Sequence, residues 1–233
     1  MATYEFKIQS NRYLKENCVG YYSMDFKSVS QGGELTFLHT LKNNKLDKKE
    51  ADLIEAKNEA RAHIATFLVA YDKIFGSKIR EQILVCRVPR SKTYFNDLQL
   101  YFQEAIKEAI QLANHSINNK LIDGIDYIRR IKDVATTHLA NSPLAQATLP
   151  KLCSGDKPYP GITKDSCFIS DEVRCETILL IDDIYTWGVG VVEDCIQALY
   201  DKGAEKVIFY AVGRTVKNSN SPAIKIENLR IRV

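Results

Sequence analysis

An apolar strand, two acids and a glycine-containing turn follow one another directly in Ile178-Leu179-Leu180-Ile181-Asp182-Asp183-Ile184-Tyr185-Thr186-Trp187-Gly188-Val189-Gly190. An unbroken apolar run of this kind is typical of a strand that is buried on both faces of a sheet. After the turn, apolar residues recur at helical spacing over residues 191–200. The stretch therefore predicts a strand, a turn and a helix, with both carboxylates at the carboxyl end of the strand.

The same order of strand and helix recurs on either side. Upstream, the apolar run 83–86 precedes helical spacing over 98–113. Downstream, Gly203 ends the helix and residues 207–212 predict another strand, while a further amphipathic helix is predicted over 47–76. Strands that alternate with helices predict an α/β fold, a parallel sheet with helices on both faces that binds ligands beyond the carboxyl ends of its strands.

The chain of 233 residues has room for one large domain and an extension. We predict an α/β domain over 47–233, preceded by a small helical and β N-terminal extension over 1–46 in which 4–8 and 19–26 look like short strands. Residues 116–170 are polar and weakly periodic, which predicts an excursion over the site.

The composition argues against several classes of protein. With 45% hydrophobic and 26% charged residues, the chain is neither collagen-like nor mostly disordered. Its net charge of +3 and its lack of a basic stripe with interleaved aromatics disfavour a nucleic-acid partner. Without a signal-peptide pattern or a long apolar window, we expect a cytoplasmic protein with no membrane contact. The six cysteines show no C-x-x-C pair, which predicts reduced, mostly buried thiols rather than a zinc site.

The chemistry of the quoted stretch suits a sugar phosphate. Unpaired backbone N–H groups at a helix N-terminus bind phosphate, and glycines let the backbone approach it closely. Two carboxylates beside that turn can accept hydrogen bonds from sugar hydroxyls and stabilise positive charge on a ring carbon.

Three other interpretations of the acidic pair were weighed. A Walker-type hydrolase needs a G-x-x-x-x-G-K-[ST] motif, which the sequence does not contain. A receiver domain carries its acids near its start, whereas only about fifty residues follow Asp183. The third interpretation, a capped strand-turn-helix with solvated acids and no ligand, stays open.

The stretch resembles the phosphoribosyl pyrophosphate signature of the type I phosphoribosyltransferases, and the likeness extends over 35–216, most strongly at 177–215. Within that family it is similar to the ComF-type, amidophosphoribosyltransferase-related branch. The resemblance implies that Asp182 and Asp183 are the catalytic acids that bind the ribose hydroxyls. It implies a 5-phosphate loop formed by Thr186, Trp187, Gly188, Val189 and Gly190.

The resemblance also implies two basic segments. A loop that binds pyrophosphate corresponds to Arg87, Val88, Pro89, Arg90 and Ser91. A flexible loop that closes over the leaving group corresponds to Arg129, Arg130 and Lys132. Mg²⁺ is the implied cofactor, held mainly by the substrate and not by a dedicated set of protein ligands. The 5-phosphate loop departs from the family's common Thr-Thr-Gly-x-Thr at Trp187 and Gly190, where two hydroxyl donors are missing.

The implied function is that of a phosphoribosyltransferase in nucleotide metabolism, a pentosyl glycosyltransferase that passes the phosphoribosyl group to a base or amine and releases pyrophosphate. The alternative is a non-catalytic sensor of a ribose phosphate or nucleotide that regulates a partner protein. These two interpretations imply that the chain binds either a second copy of itself, as a homodimer, or a protein that it regulates.

Overall fold

The computed structural model describes residues 2–27, 33, 36–42, 46–75, 82–117, 120–134, 166–216 and 224–225. In chain order, the elements of these ranges are β1 (Tyr4–Ile8), β2 (Cys18–Phe26), α1 (Phe37–Lys42), α2 (Glu50–Phe75), β3 (Ile83–Arg87), a 3-10 turn (Asp97–Gln99), α3 (Tyr101–Ile117), β4 (Leu121–Asp123), β5 (Ile128–Arg130), β6 (Cys167–Ile169), a 3-10 turn (Asp171–Val173), β7 (Thr177–Tyr185), α4 (Val191–Lys202), β8 (Lys206–Thr215) and β9 (Ile224–Lys225). None of these helices has the length and apolar character that a membrane span requires.

The main sheet has the strand order β4-β3-β7-β8-β2-β1-β9. Its five strands from β4 to β2 are parallel to one another, whereas β1 runs antiparallel to β2 and to β9. β5 and β6 pair separately as an antiparallel ribbon. The predicted α/β fold with a mostly parallel central sheet is confirmed.

Helices cover both faces of the sheet, as the unbroken apolar strands predicted. Alternate residues of β7 point to opposite faces. Leu179 and Ile181 pack in the cluster that contains α2 and α3, whereas Ile178 and Leu180 pack in the cluster that contains α4. Because both faces are covered, nearly every position of β7 up to Ile181 is buried.

The first two strands belong to this sheet, which differs from the predicted N-terminal extension over 1–46. β2 pairs in parallel with β8, from Gly20 opposite Phe209 to Phe26 opposite Thr215. β2 therefore lies inside the sheet and does not precede a separate domain that begins at residue 47. The sequence pattern misses this because the strand that pairs with β2 lies far away along the chain.

The predicted helices and strands are present, with shifted bounds. α2 begins at Glu50 and not at Asp47, and α3 begins at Tyr101 after a 3-10 turn capped by Asn96. β7 continues to Tyr185 because its last residues stay paired with β8. Gly203 does end α4: its φ is 102°, and its N–H bonds the last carbonyls of the helix. The predicted helix end at Gly76 lies outside the described residues.

The direction of chain connection reverses between β3 and β7. From β3 the chain passes through α3 to β4, toward one edge of the sheet, and from β7 it passes through α4 to β8, toward the other. The two loops that leave the carboxyl ends of β3 and β7 therefore diverge. In open α/β sheets, the crevice formed at such a reversal is where ligands bind.

The cysteines within the described ranges are free thiols. Cys18, Cys86, Cys167 and Cys195 are buried, and Cys175 is exposed. Burial raises the pKa of Cys86 to about 12, which keeps this thiol protonated at neutral pH. The sixth cysteine, Cys153, lies outside the described residues.

Candidate functional site

The acidic pair lies near the carboxyl end of β7, on one side of the crevice. Asp182 and Asp183 are both partly buried. The Oδ1 atom of Asp182 accepts a hydrogen bond from the N–H of Asp183 at 2.9 Å, and Oδ1 of Asp183 accepts one from the N–H of Ile184 at 2.7 Å. The strand end itself therefore orients both carboxylates.

The surroundings of Asp182 perturb its ionisation. Burial, and secondarily the charge of Asp183, raises the pKa of Asp182 well above the ordinary aspartate range, while Lys42 of α1 acts in the opposite direction. A partly buried acid of raised pKa gains most from a hydrogen-bond donor or a cation that comes close to it. Perturbed acids in a crevice are typical of ligand-binding and catalytic sites.

The turn between β7 and α4 depends on glycine at two positions. Gly188 has φ 82° and Gly190 has φ 84°, both in the left-handed region that favours glycine. Gly190 is the N-cap residue of α4, and it makes no side-chain capping bond. Within the described residues, no side chain therefore caps the N-terminus of α4. The positive end of the helix dipole lies there, which suits an anion.

In the predicted 5-phosphate loop, the hydroxyl of Thr186 and the ring of Trp187 have different environments. Thr186 Oγ1 shares a hydrogen bond with Thr215 Oγ1 at 2.8 Å, which ties the loop to the end of β8. Trp187 is 62% exposed, so its side chain is not a core residue. Val189 continues the turn through a bond from its N–H to the carbonyl of Thr186 at 3.4 Å.

Tyr13, in the loop between β1 and β2, packs against Gly190. A Cβ atom at position 190 would lie 2.4 Å from Cε2 of Tyr13, so the ring fills the space that a side chain would need. Position 190 therefore cannot carry the hydroxyl residue that the family's pattern has there unless Tyr13 moves. Sequence reasoning found the departure at Gly190 but not this contact, because nothing local connects the two segments.

On the other side of the crevice, the end of β3, the segment that follows it and the surroundings of β5 line a cavity of about 400 Å³ that is open to solvent. Its walls are formed by Arg87, Pro89, Arg90, Lys92, Thr93, Phe95, Arg129, Arg130 and Ile131. The structure thus brings together the arginines of the predicted pyrophosphate loop and two of the three basic residues of the predicted flexible loop. The third, Lys132, is exposed.

Arg87 carries an unsatisfied hydrogen-bond donor beside this cavity. It is the last residue of β3, and its Nε is buried without a hydrogen-bond partner among the described residues. Burial lowers the pKa of Arg87, and the charge of Arg90 lowers it further, against the opposing charges of Asp126 and Asp182. A buried donor without an acceptor is costly, and an anionic ligand would remove that cost.

Arg90 and Arg130 shape the walls of the cavity. Arg90 donates to the carbonyls of Gln99 at 2.8 Å and Lys42 at 3.2 Å, and its guanidinium stacks on Phe95 at 4.4 Å. Arg130, only 9% exposed, donates from Nε to the carbonyl of Arg90 at 3.1 Å. These bonds fix two positive charges beside the cavity before any ligand arrives.

The other predicted residues of these segments have backbone roles. The N–H of Val88 donates to the carbonyl of Ile181 at 2.9 Å, and the carbonyl of Ser91 accepts from the N–H of Val134 at 2.9 Å.

Arg129 is exposed on β5, opposite Phe168 of β6, with its guanidinium 4.7 Å from that ring. Arg129 and Arg130 thus lie in a paired strand, and residues 135–165 of the predicted excursion lie outside the described residues.

The acidic pair and the cavity belong to one crevice. The bond between Val88 and Ile181 joins the loop after β3 to the neighbouring strand of the acids. Burial lowers the pKa of Arg90, and the charges of Asp183 and Asp182 act against that lowering. Negative and positive side chains therefore flank the reversal point from its two sides.

The acidic pair fits the implied Mg²⁺. Carboxylate oxygens are ligands that Mg²⁺ prefers, and the ion usually keeps several positions for water and substrate oxygens. Within the described ranges, no three His, Cys, Asp or Glu side chains form a group that would hold a metal by themselves. Asp182 and Asp183 would hold the ion together with oxygens of a ligand.

Sequence reasoning did not identify four of the cavity residues, namely Lys92, Thr93, Phe95 and Ile131. Of these four, only Lys92 could have been suspected from the sequence, because it is a basic residue two positions after Arg90. The others are recognisable only from the folded loops.

Neither a protein-family model nor a curated protein matches the chain. The type I phosphoribosyltransferase fold, and the activity that it implies, therefore stay predictions.

Proposed function

We propose that the chain binds phosphoribosyl pyrophosphate with Mg²⁺ in the crevice between β3 and β7, and transfers the phosphoribosyl group to a base or amine with release of pyrophosphate. The observation that carries this proposal is the placement of the acidic pair and the arginine-lined cavity on opposite sides of one crevice. The ligand has the matching order of groups, since its ribose hydroxyls lie between a phosphate and a diphosphate.

Each part of the ligand has a counterpart in the crevice. Asp182 and Asp183 accept hydrogen bonds from the ribose hydroxyls, and the turn over 186–190 receives the 5-phosphate at the N-terminus of α4. The diphosphate enters the cavity, where Arg87 supplies its buried Nε–H. Hydrogen bonds between a guanidinium and a phosphate are among the stronger ones in proteins.

The reaction breaks the bond between the anomeric carbon and the pyrophosphate oxygen, and it forms a bond from that carbon to a nitrogen of the acceptor. Positive charge on the ring develops close to the two carboxylates, and negative charge on the departing oxygen develops close to the arginines. Mg²⁺, when bound, supplies further neutralisation of the pyrophosphate charge. The protein contributes chiefly position and preorganised charge.

The proposal is tested by measuring pyrophosphate release from phosphoribosyl pyrophosphate with a panel of nucleobases and amines. We expect release that requires both Mg²⁺ and one acceptor, and we expect D182N/D183N to abolish it. Asp171→Asn is the matched control, because Asp171 lies in an exposed ion pair with Arg174, before the amino end of β7 and not at its carboxyl end. Release that survives in D182N/D183N, or is absent with every acceptor, contradicts the transferase.

One observation favours the second candidate, a ribose-phosphate or nucleotide sensor without turnover. The ring of Tyr13 occupies the space beside Gly190, and the one threonine of the turn, Thr186, is bonded to Thr215. The turn therefore binds phosphate through backbone groups with little help from hydroxyls. Tight binding of phosphoribosyl pyrophosphate, without pyrophosphate release for any acceptor, supports the sensor.

A further inference from the structure

Three hydrogen-bond donors of the cavity segment converge on one carboxylate. The N–H of Thr93 and its Oγ1 donate to Oδ1 of Asp133 at 2.8 and 2.9 Å, and Nζ of Lys92 lies 3.3 Å from Oδ2 of the same side chain. Both Lys92 and Thr93 line the arginine-walled cavity. A backbone N–H, a hydroxyl and an ammonium are together the donor set of a phosphate site.

Asp133 is also part of the connection between two segments. The N–H of Val134, its neighbour, donates to the carbonyl of Ser91, and Arg130 donates to the carbonyl of Arg90. The bonds from Thr93, before those from Lys92, lower the pKa of Asp133, so the carboxylate is charged at neutral pH. A negative charge therefore links the loop after β3 to residues 130–134.

We propose that Lys92 and Thr93 form a phosphoryl-binding subsite of the cavity, and that Asp133 occupies it as an internal substitute for the ligand. A phosphoryl oxygen that enters the cavity competes with Asp133 for the same three donors. When it wins, the bonds from Lys92 and Thr93 to Asp133 are released, and this part of the connection between residues 91–93 and 131–134 is lost. The subsite accepts a phosphoryl group, whose oxygens can accept from the same backbone N–H, hydroxyl and ammonium.

This inference rests on the proposed function, because the cavity is the half of the crevice assigned to the diphosphate. Its consequence is a coupling between ligand and loop. The ligand that fills the cavity loosens residues 131–134, and Asp133 in turn lowers the affinity of the empty cavity for anions. Breaking the exposed ion pair between Lys92 and Asp133 costs little free energy, so a phosphoryl ligand can compete with Asp133.

The test is calorimetric titration of inorganic pyrophosphate into the full chain and into D133N. We expect D133N to bind pyrophosphate about fivefold more tightly, the ratio that corresponds to about 1 kcal/mol for an exposed ion pair. Thr93→Val in the D133N background should remove most of that gain, because it deletes one of the freed donors. Hydrogen exchange over 131–134 should become faster in D133N, and also in the unmodified chain when pyrophosphate is added.

Asp126→Asn is the matched control. Asp126 is exposed, and its charge acts on Arg87 in the same cavity. Its carboxylate contacts Gln103 and Lys107 and not the two residues of the proposed subsite. A purely long-range charge effect would raise pyrophosphate affinity equally in D126N and D133N, and that result would overturn the proposal. Unchanged or weaker binding in D133N, or binding by neither D133N nor the unmodified chain, would overturn it too.

The failure of the proposed function gives a different result. If pyrophosphate binds with the expected dependence on Asp133 while phosphoribosyl pyrophosphate binding does not depend on Asp182 and Asp183, the subsite is supported and the transferase is not. If the dependence on the acidic pair is found and D133N behaves like D126N, the transferase keeps its support and the subsite loses it.

Discussion

The two sides of the crevice lie at the same edge of the same sheet and are built in opposite ways. On the β7 side, two adjacent acids and a turn with two left-handed glycines come from one uninterrupted stretch of chain. On the β3 side, the positive charges come from separate segments, with Arg87 at the end of β3, Arg90 in the loop after it, and Arg129 and Arg130 on β5. We call these the acidic half and the basic half.

The difference shows how each half holds its charge. The acidic half is fixed by bonds between neighbours, such as Asp182 with the N–H of Asp183. The basic half is fixed by long-range bonds, such as Arg130 with the carbonyl of Arg90 and Arg90 with the carbonyl of Lys42. The two carboxylates of the acidic half are therefore oriented within their own strand, whereas the arginines of the basic half depend on the packing of loops and can respond to a ligand.

The largest effect is expected in the acidic half. D182N/D183N keeps the shape of both side chains and removes both charges, so it should weaken binding of phosphoribosyl pyrophosphate about a thousandfold, through the loss of two charge-assisted hydrogen bonds. Calorimetry measures the change, and Asp171→Asn serves as the control. Binding of inorganic pyrophosphate alone should not weaken, and a comparable loss there would erase the distinction between the halves.

The two glycines of the turn sharpen the account of the acidic half. Gly188→Ala imposes only left-handed backbone strain of about 1 kcal/mol, because no atom lies within 4 Å of the added Cβ. Gly190→Ala adds a collision with Tyr13 and should lower the free energy of unfolding by about 3 kcal/mol. Denaturant unfolding measures both variants. Tyr13→Ala combined with Gly190→Ala should recover the difference, and equal costs for the two single variants would refute the contact.

Arg87→Ala is the corresponding change in the basic half. Because it removes the buried Nε–H that we assign to the diphosphate, pyrophosphate affinity should fall about tenfold. Thermal stability should not fall in proportion, since the variant also removes an incompletely satisfied buried cation. Arg174→Ala, which changes an exposed arginine paired with Asp171, is the control and should leave pyrophosphate binding unchanged.

The smallest expected effect is a pH dependence of the free energy of unfolding that comes from Asp182 in the acidic half. The raised pKa of Asp182 means that the folded state binds its proton more tightly than the unfolded state does. Its contribution to stability is thus present below the ordinary aspartate range and is lost as pH rises through the raised pKa. The free energy of unfolding, measured across this window, should decline less steeply in D182N than in the unmodified chain.

The exposed Asp171 is the control of opposite sign for that measurement. Hydrogen bonds from Lys202 and then Arg174 lower the pKa of Asp171, so its contribution is present above the ordinary range and is lost as pH falls. D171N should therefore change the low-pH side of the stability curve only. Identical stability curves for D182N and the unmodified chain would contradict the raised pKa of Asp182.

Local patterns predicted the acidic half, whereas the arginines of the basic half were predicted only through the family resemblance, and Lys92, Thr93, Phe95 and Ile131 were not predicted. β7, its turn and α4 follow from an unbroken apolar run, two acids and glycines, all within one stretch. Arg129 was singled out as basic, yet its place beside the cavity depends on the pairing of β5 with β6 across a long intervening segment. β2 was likewise separated from the sheet, because its pairing with β8 leaves no trace in local periodicity. Asp133 and Tyr13 act through contacts that only the folded chain brings together.

The central claim is that the two halves form one site for one ligand, and competition binding tests it most directly. With Mg²⁺ present, ribose 5-phosphate and pyrophosphate are bound together to the protein and phosphoribosyl pyrophosphate is titrated in. The account predicts that the two fragments bind without excluding each other and that phosphoribosyl pyrophosphate displaces both. Displacement of only one fragment, or of neither, would contradict it.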